Sequence, residues 1–299
     1  MGEASPTTAS GEIAVAEERP SRKKPAVHRA QVLRTAQLTP HMVRVVLGGP
    51  GLAEFTAGDY SDHYIKLVFP LPDVAYPEPF DIAQIRADFP RAQWPRTRTY
   101  TVRSWDAAAR ELTVDFVVHG DEGLAGPWAA AAEPGDEVLF LGPGGAYLPQ
   151  ADADWHLLAG DESALPAIAA SLARIPAGAP VHAFIEVAGP EETQELDAPA
   201  NAQITWLYRG GAPVGRELVA AVRALTFPAG QVQAFVHGEA GFVKELRRLL
   251  RIERGIPREA LSISGYWRSG HDEDGWQASK RDWNQQMEAE QEAAPAAAA

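Results

Sequence analysis

Arg98-Thr99-Tyr100-Thr101-Val102-Arg103 reads as a β-strand, with Tyr100 and Val102 on one face and Thr99, Thr101 and Arg103 on the other, the period of two of a half-buried strand. It is answered downstream by Asp115-Phe116-Val117-Val118-His119-Gly120, then by the small-residue run Gly123-Leu124-Ala125-Gly126, which closes on Trp128. A guanidinium can fork onto a diphosphate or reach a ring nitrogen, and a tyrosine ring can pack on an isoalloxazine while its hydroxyl stays polar. Backbone N–H groups of a glycine- and alanine-rich run entering a helix can approach a phosphate. The pattern therefore fits flavin at the rim of a β-barrel. Taken alone, it also fits an ordinary strand with a charged outer face.

Around this stretch the chain alternates in the same way. Val27 to Leu33, Met42 to Leu47, Tyr64 to Phe69, Leu112 to Val118 and Glu137 to Leu141 are short apolar-polar bursts, separated by glycine- and proline-bearing turns such as Gly48-Gly49-Pro50-Gly51 and Pro134-Gly135-Asp136. Several such strands imply an antiparallel barrel. Lys66 sits between Ile65 and Leu67 and so points away from them. Pro70 to Trp94 reads as a long proline-rich, aromatic loop, either functional or a plain surface flap.

Beyond Gly142-Pro143-Gly144-Gly145 the pattern changes. Short buried strands at Trp155 to Leu158, Val181 to Val187, Ile204 to Tyr208 and Val232 to His237 alternate with helices at Ala167 to Ala173, Glu217 to Leu225 and Phe242 to Arg254. That alternation predicts a parallel, doubly wound sheet, with ligands beyond the C-terminal strand ends. Asp161-Glu162-Ser163 falls at such an end, either facing a nucleotide or capping the next helix. Trp276 to Met287 reads as one more helix, and Glu288 to Ala299 as a polar, alanine-rich tail.

The composition, 45% hydrophobic and 22% charged over 299 residues, is that of a globular protein long enough for two domains. The absence of cysteine excludes disulfides, thiolate zinc sites and cysteine-bound iron–sulfur clusters, so redox chemistry needs an organic cofactor, and no metal site is expected. A net charge of −13 argues against nucleic acid and makes local basic residues conspicuous. No apolar run is long enough for a membrane span. Residues 1–25 carry no apolar core of a secretory signal and read as a disordered tail, so a cytoplasmic monomer is expected.

Four motifs in order carry a resemblance: Asp62-His63-Tyr64-Ile65-Lys66-Leu67, the paired Arg98 and Asp115 segments, Gly160 to Pro166, and Gly265-Tyr266-Trp267-Arg268. Over residues 27–270 the chain resembles the siderophore-interacting proteins, flavin-containing ferric-siderophore reductases related to the ferredoxin-reductase superfamily. The resemblance implies a six-stranded antiparallel FAD-binding β-barrel at 26–149, a doubly wound parallel α/β NAD(P)H-binding-like domain at 150–270, and a terminal helix and tail at 271–299. It implies that FAD is held by Arg98, Tyr100, Thr101, Val102, Arg103, Asp115, Phe116, Val118, His119, Gly120, Gly123, Ala125 and Trp128, with Asp161, Glu162 and Ser163 facing the flavin edge. Lys66 and Arg268 would recruit the ferric siderophore. Pro127 stands where family members often carry a basic residue, and Arg91 or Arg96 is the expected substitute. Glu186, near the end of the second parallel strand, would accept from the ribose and favour NADH; Arg209, ending the next, would instead favour the phosphate of NADPH; a ferredoxin is the other expected donor. Two other functions fit the same residues: a general NAD(P)H:flavin oxidoreductase without siderophore selectivity, and a redox-silent ferric-chelate binding protein.

Overall fold

The structure, a computed structural model, describes residues 27–120 and 123–292; the tail expected at 1–25 and residues 293–299 lie outside the described residues. The strands β1 (Val27–Thr39), β2 (Met42–Gly48), β3 (Tyr64–Phe69), β4 (Arg96–Asp106), β5 (Glu111–Val117) and β6 (Glu137–Gly144) close into an antiparallel barrel in the order β1-β2-β5-β4-β3-β6. Closure relies on the length of β1, which pairs with β6 through Val27–Gln31 and with β2 through Gln31–Thr39. Alternation fills the inside: Val43, Val45 and Leu47 of β2 meet Leu112, Val114 and Phe116 of β5. Each such buried side chain contributes about 1.5–3 kcal/mol relative to exposure. Helix α1 (Ile82–Asp88) packs outside the barrel, and α2 (Ala125–Ala131) adds Ala125, Ala129 and Trp128 to the core.

The stretch from Pro70 to Trp94, expected as a loop, contains α1 and a 3-10 turn at Arg91–Gln93. Asp81 starts the helix by accepting from the N–H groups of Ala83 (2.7 Å) and Gln84 (3.2 Å). Ile82 then packs with Val68 and Leu141 on the barrel's outer face, so the flap is anchored.

The second sheet is parallel, in the order β11-β10-β7-β8-β9: β7 (Trp155–Asp161), β8 (Val181–Val187), β9 (Ala202–Tyr208), β10 (Val232–Glu239) and β11 (Leu261–Trp267). Central strands β7 and β10 are buried along their whole length, as a sheet covered on both faces requires. Helix α3 (Leu165–Leu172) covers one face, and α4 (Arg216–Ala224) with α5 (Ala240–Arg248) the other. The chain runs outward from β7 through β8 and β9, then returns to β10 and β11 on the other side, so the strand order switches between β7 and β10. β11 was not expected as a strand: the Ser264–Arg268 segment is its end and exit, paired in parallel with β10.

Helix α6 (Glu273–Glu292) is longer than expected at both ends and runs into the predicted tail. Trp276 is buried, and Trp283 packs into the sheet's core cluster. The barrel meets the sheet where Met42 and Tyr147 join the α3-side core cluster.

Candidate active site

Strand β4 changes partner along its length. Arg98, Thr99 and Tyr100 stand opposite Leu67, Lys66 and Ile65 of β3, whereas the ladder to β5 begins only at Val102, opposite Val114, and is irregular around Arg103. The Thr99 N–H therefore finds a partner elsewhere, donating to Glu273 Oε1 of α6 at 3.1 Å. Arg98, with its side chain 11% exposed, lies 3.3 Å through Nε from Glu273 Oε2, and its Nη1 and Nη2 donate to Asp274 at 3.4 and 3.3 Å. Arg96 lies 3.6 Å from the same Asp274 carboxylate. Acidic residues at the start of a helix are favoured by its dipole, and here they also tie α6 to the barrel. Tyr100 packs its ring against Phe116, with centroids 4.4 Å apart; burial and the Glu273 charge push its phenol above the ordinary range.

A guanidinium and a backbone N–H beside an aromatic ring suit an anionic, aromatic cofactor such as a flavin nucleotide. Their present partners are carboxylates of α6, with Arg98 held at 3.3–3.4 Å, so the anionic part of FAD would have to displace Glu273 and Asp274 to take up these donors.

The switch point of the sheet lies alongside. Asp161 ends β7 fully buried, and accepts at Oδ1 from Ser163 N (3.0 Å) and Oγ (2.5 Å) and at Oδ2 from Glu239 N (2.9 Å) and Trp267 Nε1 (2.8 Å). Burial, reinforced by Glu162, pushes its pKa up to about 6. It ties the ends of β7, β10 and β11 together. The alternative reading of Asp161 or Ser163 as a cap of α3 does not hold, because that helix begins after Ala164 without a side-chain cap. Tyr266 of β11 reaches the Thr101 side chain, which links this seam to β4.

At the ends of β8 and β9, Glu162 binds Arg209 through both guanidinium nitrogens, and Glu186 lies 3.4 Å from Arg209. Glu186 does not face a nucleotide. It is fully buried and accepts from Gly215 N (2.7 Å) and Leu218 N (3.3 Å), satisfying the first turn of α4. A cavity of about 120 Å³ opens beside this pair, bordered by His41, His119, Glu162, Glu192 and Arg209. His41 Nδ1 lies 2.5 Å from Glu192 Oε1, and Thr39 Oγ1 donates to the same carboxylate. Burial opposes ionisation of Glu192, but the bonds from Thr39 and His41 outweigh it and hold the carboxyl below its ordinary range.

The remaining expected residues separate. Val102 and Phe116 turn into the barrel core, so their side chains do not reach a cofactor, contrary to expectation. Asp115 is likewise taken up: buried on the barrel wall, it accepts from Arg44 Nε and Nη2 at 2.7 and 2.8 Å, with Arg103 at 3.9 Å. Trp128 packs on Phe69 and Phe116. Val118 donates its N–H to the His41 carbonyl, and His119 lines the cavity near His41. Gly120 and Gly123 adopt φ of +59° and +84°, which favours glycine, and Ala125 is buried at the start of α2. Lys66 is exposed on the outer face of β3 and Arg268 is half-buried just after β11; neither has a salt-bridge partner among the described residues. Sequence reasoning missed Glu273, Asp274, His41 and Glu192. Only the helical spacing of Trp276, Lys280, Trp283 and Met287 hinted that α6 faces inward.

Residues 31–147 match the siderophore-interacting FAD-binding domain, and residues 153–270 the siderophore-interacting protein domain. The chain is 49% identical over 270 residues to an uncharacterized protein of Mycobacterium tuberculosis, covering 86% of this chain and 95% of the relative. It is 34% identical over 251 residues to the ferric vibriobactin reductase ViuB of Vibrio cholerae (82% and 90% covered), and 30% identical over 239 residues to an NADPH-dependent ferric-chelate reductase of Escherichia coli (79% and 91%). A siderophore utilization protein from T. fusca, known from its crystal structure, superposes with a TM-score of 0.72 at 42% identity, over 83% of this chain and 95% of that one.

Proposed function

The chain belongs to the siderophore-interacting protein family, and from that premise we propose that it is an FAD-dependent ferric-siderophore reductase that reduces chelated Fe(III) to Fe(II) and so releases iron in the cytoplasm. The observation that carries this reading is the β4 edge, where Arg98, the Thr99 N–H and the Tyr100 ring meet just where the ladder to β5 stops. The FAD-binding unit spans 26–149 and the nucleotide-binding-like unit 150–270, with the segment 271–299 beyond them.

Arg98 neutralises the anionic part of FAD, Tyr100 offers its ring, and Thr101 a hydroxyl beside Tyr266. His119, Gly120 and Ala125 lie on the phosphate and adenosine side. The chemistry that FAD supplies when bound is the exchange of an electron pair for single electrons, the form in which Fe(III) is reduced. Lys66 and Arg268, cations without salt-bridge partners among the described residues, draw in the anionic ferric chelate against a net charge of −13.

The donor is a nicotinamide nucleotide entering at the strand ends beside Arg209. Arg209 is already matched by Glu162 and Glu186, so a 2′-phosphate finds no unpaired arginine there, and NADH is favoured. The relative from Escherichia coli carries NADPH in its name, and the two donors are to be compared directly.

The test begins with the absorbance of the purified protein, which should show bound flavin at one FAD per chain. Reduction rates are then compared for bulky ferric chelates and ferricyanide, with NADH, NADPH and reduced ferredoxin as donors. A protein without flavin that still binds ferric chelate is a redox-silent carrier. Equal rates on ferricyanide and chelates mean an unselective flavin reductase.

A further inference from the structure

Helix α6 begins at Glu273, beyond residue 270 where the siderophore-interacting protein domain ends, yet its first turn lies against the strand that carries the flavin motif. Asp272 starts the helix: its Oδ1 accepts from the N–H of Gly275 at 2.7 Å, and its carbonyl from that of Trp276 at 2.9 Å. The two carboxylates that follow are turned on the barrel. Glu273 takes the Thr99 N–H at 3.1 Å and Arg98 Nε at 3.3 Å, while Asp274 takes Arg98 Nη1 and Nη2 at 3.4 and 3.3 Å.

The contact is loose where the molecule makes tight ones elsewhere. Arg44 meets Asp115 on the same barrel at 2.7 and 2.8 Å, the usual range for a charge-assisted pair, and every contact of Arg98 with α6 is longer. Glu273 is also held at a cost: burial pushes its pKa up, against the pull of the Thr99 N–H and the Arg98 charge. A better matched anion at Arg98 would relieve both.

Nor does α6 need this contact to stay in place. Trp276 is buried, Trp283 joins the sheet's core cluster with its ring centroid 5.4 Å from that of Trp276, and Met287 is buried one turn further on. At its far end Glu290 meets Lys244 at 2.8 Å and Glu288 meets Arg258 at 3.0 Å. The turn ahead of Trp276, in contrast, carries two glycines, Gly270 with φ of +75° and Gly275, so it can unwind while the rest of the helix remains.

We propose that the first turn of α6 is a gate on the cofactor site: Glu273 and Asp274 compete with the FAD diphosphate for Arg98 and the Thr99 N–H, and loading turns this segment aside while the helix stays anchored from Trp276 onward. Two adjacent carboxylates carry the same charge as a diphosphate and present their oxygens to the same fork. The gate rests on the reading of β4 as the FAD-binding edge. Its consequence is that the last helix of the chain sets how tightly and how fast FAD is taken up.

The experiment titrates FAD into the full chain stripped of flavin, read by quenching of flavin fluorescence, with rapid mixing for the association rate. Glu273→Gln combined with Asp274→Asn keeps the size of both side chains and removes their charge. It should tighten FAD by about tenfold and speed its association, whereas loss of a contact that only shapes the site would weaken binding. In an Arg98→Ala background the same two substitutions should change the affinity less than about twofold, because the group they compete for is gone. Hydrogen exchange gives a second readout: adding FAD to wild type should speed exchange in residues 268–276 and leave the segment around Trp283 unchanged. An affinity that is unchanged or weaker in the double variant, or a first turn that FAD protects, overturns the proposal. Should the double variant fail to fold, Asp274→Asn alone, which leaves the Thr99 contact intact, carries the comparison with an expected gain of about threefold. A double variant that loads FAD more tightly but reduces no ferric chelate leaves the gate standing and overturns the reductase reading. A wild type that reduces bulky ferric chelates through bound FAD, beside a double variant that titrates as it does, overturns the gate alone. A chain that takes up no FAD with or without the acid pair overturns both.

Discussion

The barrel edge at β4 and the strand ends of the parallel sheet lie on either side of one seam and have opposite electrostatic characters. At the barrel edge, Arg96 and Arg98 face the Glu273 and Asp274 carboxylates of α6, and Lys66 on the neighbouring strand has no salt-bridge partner among the described residues. At the strand ends, Arg209 faces Glu162 and Glu186, and Glu192 is already bound to His41 and Thr39. A chain with net charge −13 thus gathers unpaired positive charge in one place and balances it in the other. Anions are drawn to the first region. In the second, a nucleotide entering as proposed would be recognised through hydroxyls more readily than through an added phosphate.

The largest effect should follow from removing Arg98. Arg98→Ala deletes a charge-assisted contact of about 1.5–3 kcal/mol, so the affinity of the apoprotein for FAD should fall about tenfold or more. Flavin fluorescence quenching on titration measures it directly. Unchanged affinity breaks the comparison at its first term, because Arg98 would then serve only to hold Glu273 and Asp274.

Much of this contrast was legible from sequence at the level of strands. Alternation around Tyr100 and Phe116 marked the barrel, and short apolar strands between helices marked the parallel sheet, because periodicity follows directly from which face is buried. The site was less legible. Glu186 sits at a strand end, where a ribose ligand is expected, but sequence does not reveal that the start of α4 folds back over it. Phe116 and Val102 belong to the flavin-like motif yet turn inward, since a motif records proximity without direction. The α6 acid pair was invisible because Glu273 meets a backbone N–H more than 170 residues away in the chain. Helix α1, by contrast, carried a readable signal in Asp81-Ile82, an N-cap followed by an apolar residue.

A smaller effect should come from the strand ends. Glu162→Gln removes one of the two carboxylates on Arg209, a partly buried pair worth about 1 kcal/mol, and should free the guanidinium for a phosphate. The affinity for 2′,5′-ADP should rise about three- to tenfold relative to 5′-AMP, read by calorimetry. A wild-type protein that already prefers 2′,5′-ADP shows that Arg209 is not balanced, and the contrast between the two regions then fails on its second side.

The smallest effect concerns how the strand ends are held against the barrel. Glu192 receives bonds from Thr39 at the end of β1 and from His41 in the turn before β2, so the contact joins the two sheets. Its folded pKa lies below the ordinary carboxyl value, so its contribution to stability is present above the unfolded pKa and is lost as pH falls through the folded one. His41 is 49% exposed, which discounts the pair to about 0.5–1 kcal/mol. Glu192→Gln should therefore lower Tm at pH 7 by about 1–3 °C, and the gap from wild type should close as pH falls below about 4. Asp161 runs the other way: raised from 3.8 to about 6, its folded form holds a proton that the unfolded chain has lost, so its contribution weakens as pH rises between those values. Calorimetric scans of wild type and Glu192→Gln from pH 3.5 to 7 separate the two, because only the Glu192 contribution disappears from the difference between the proteins at low pH. A gap that persists unchanged at the acid end means that shape, and not the ionised carboxylate, holds the barrel to the sheet here.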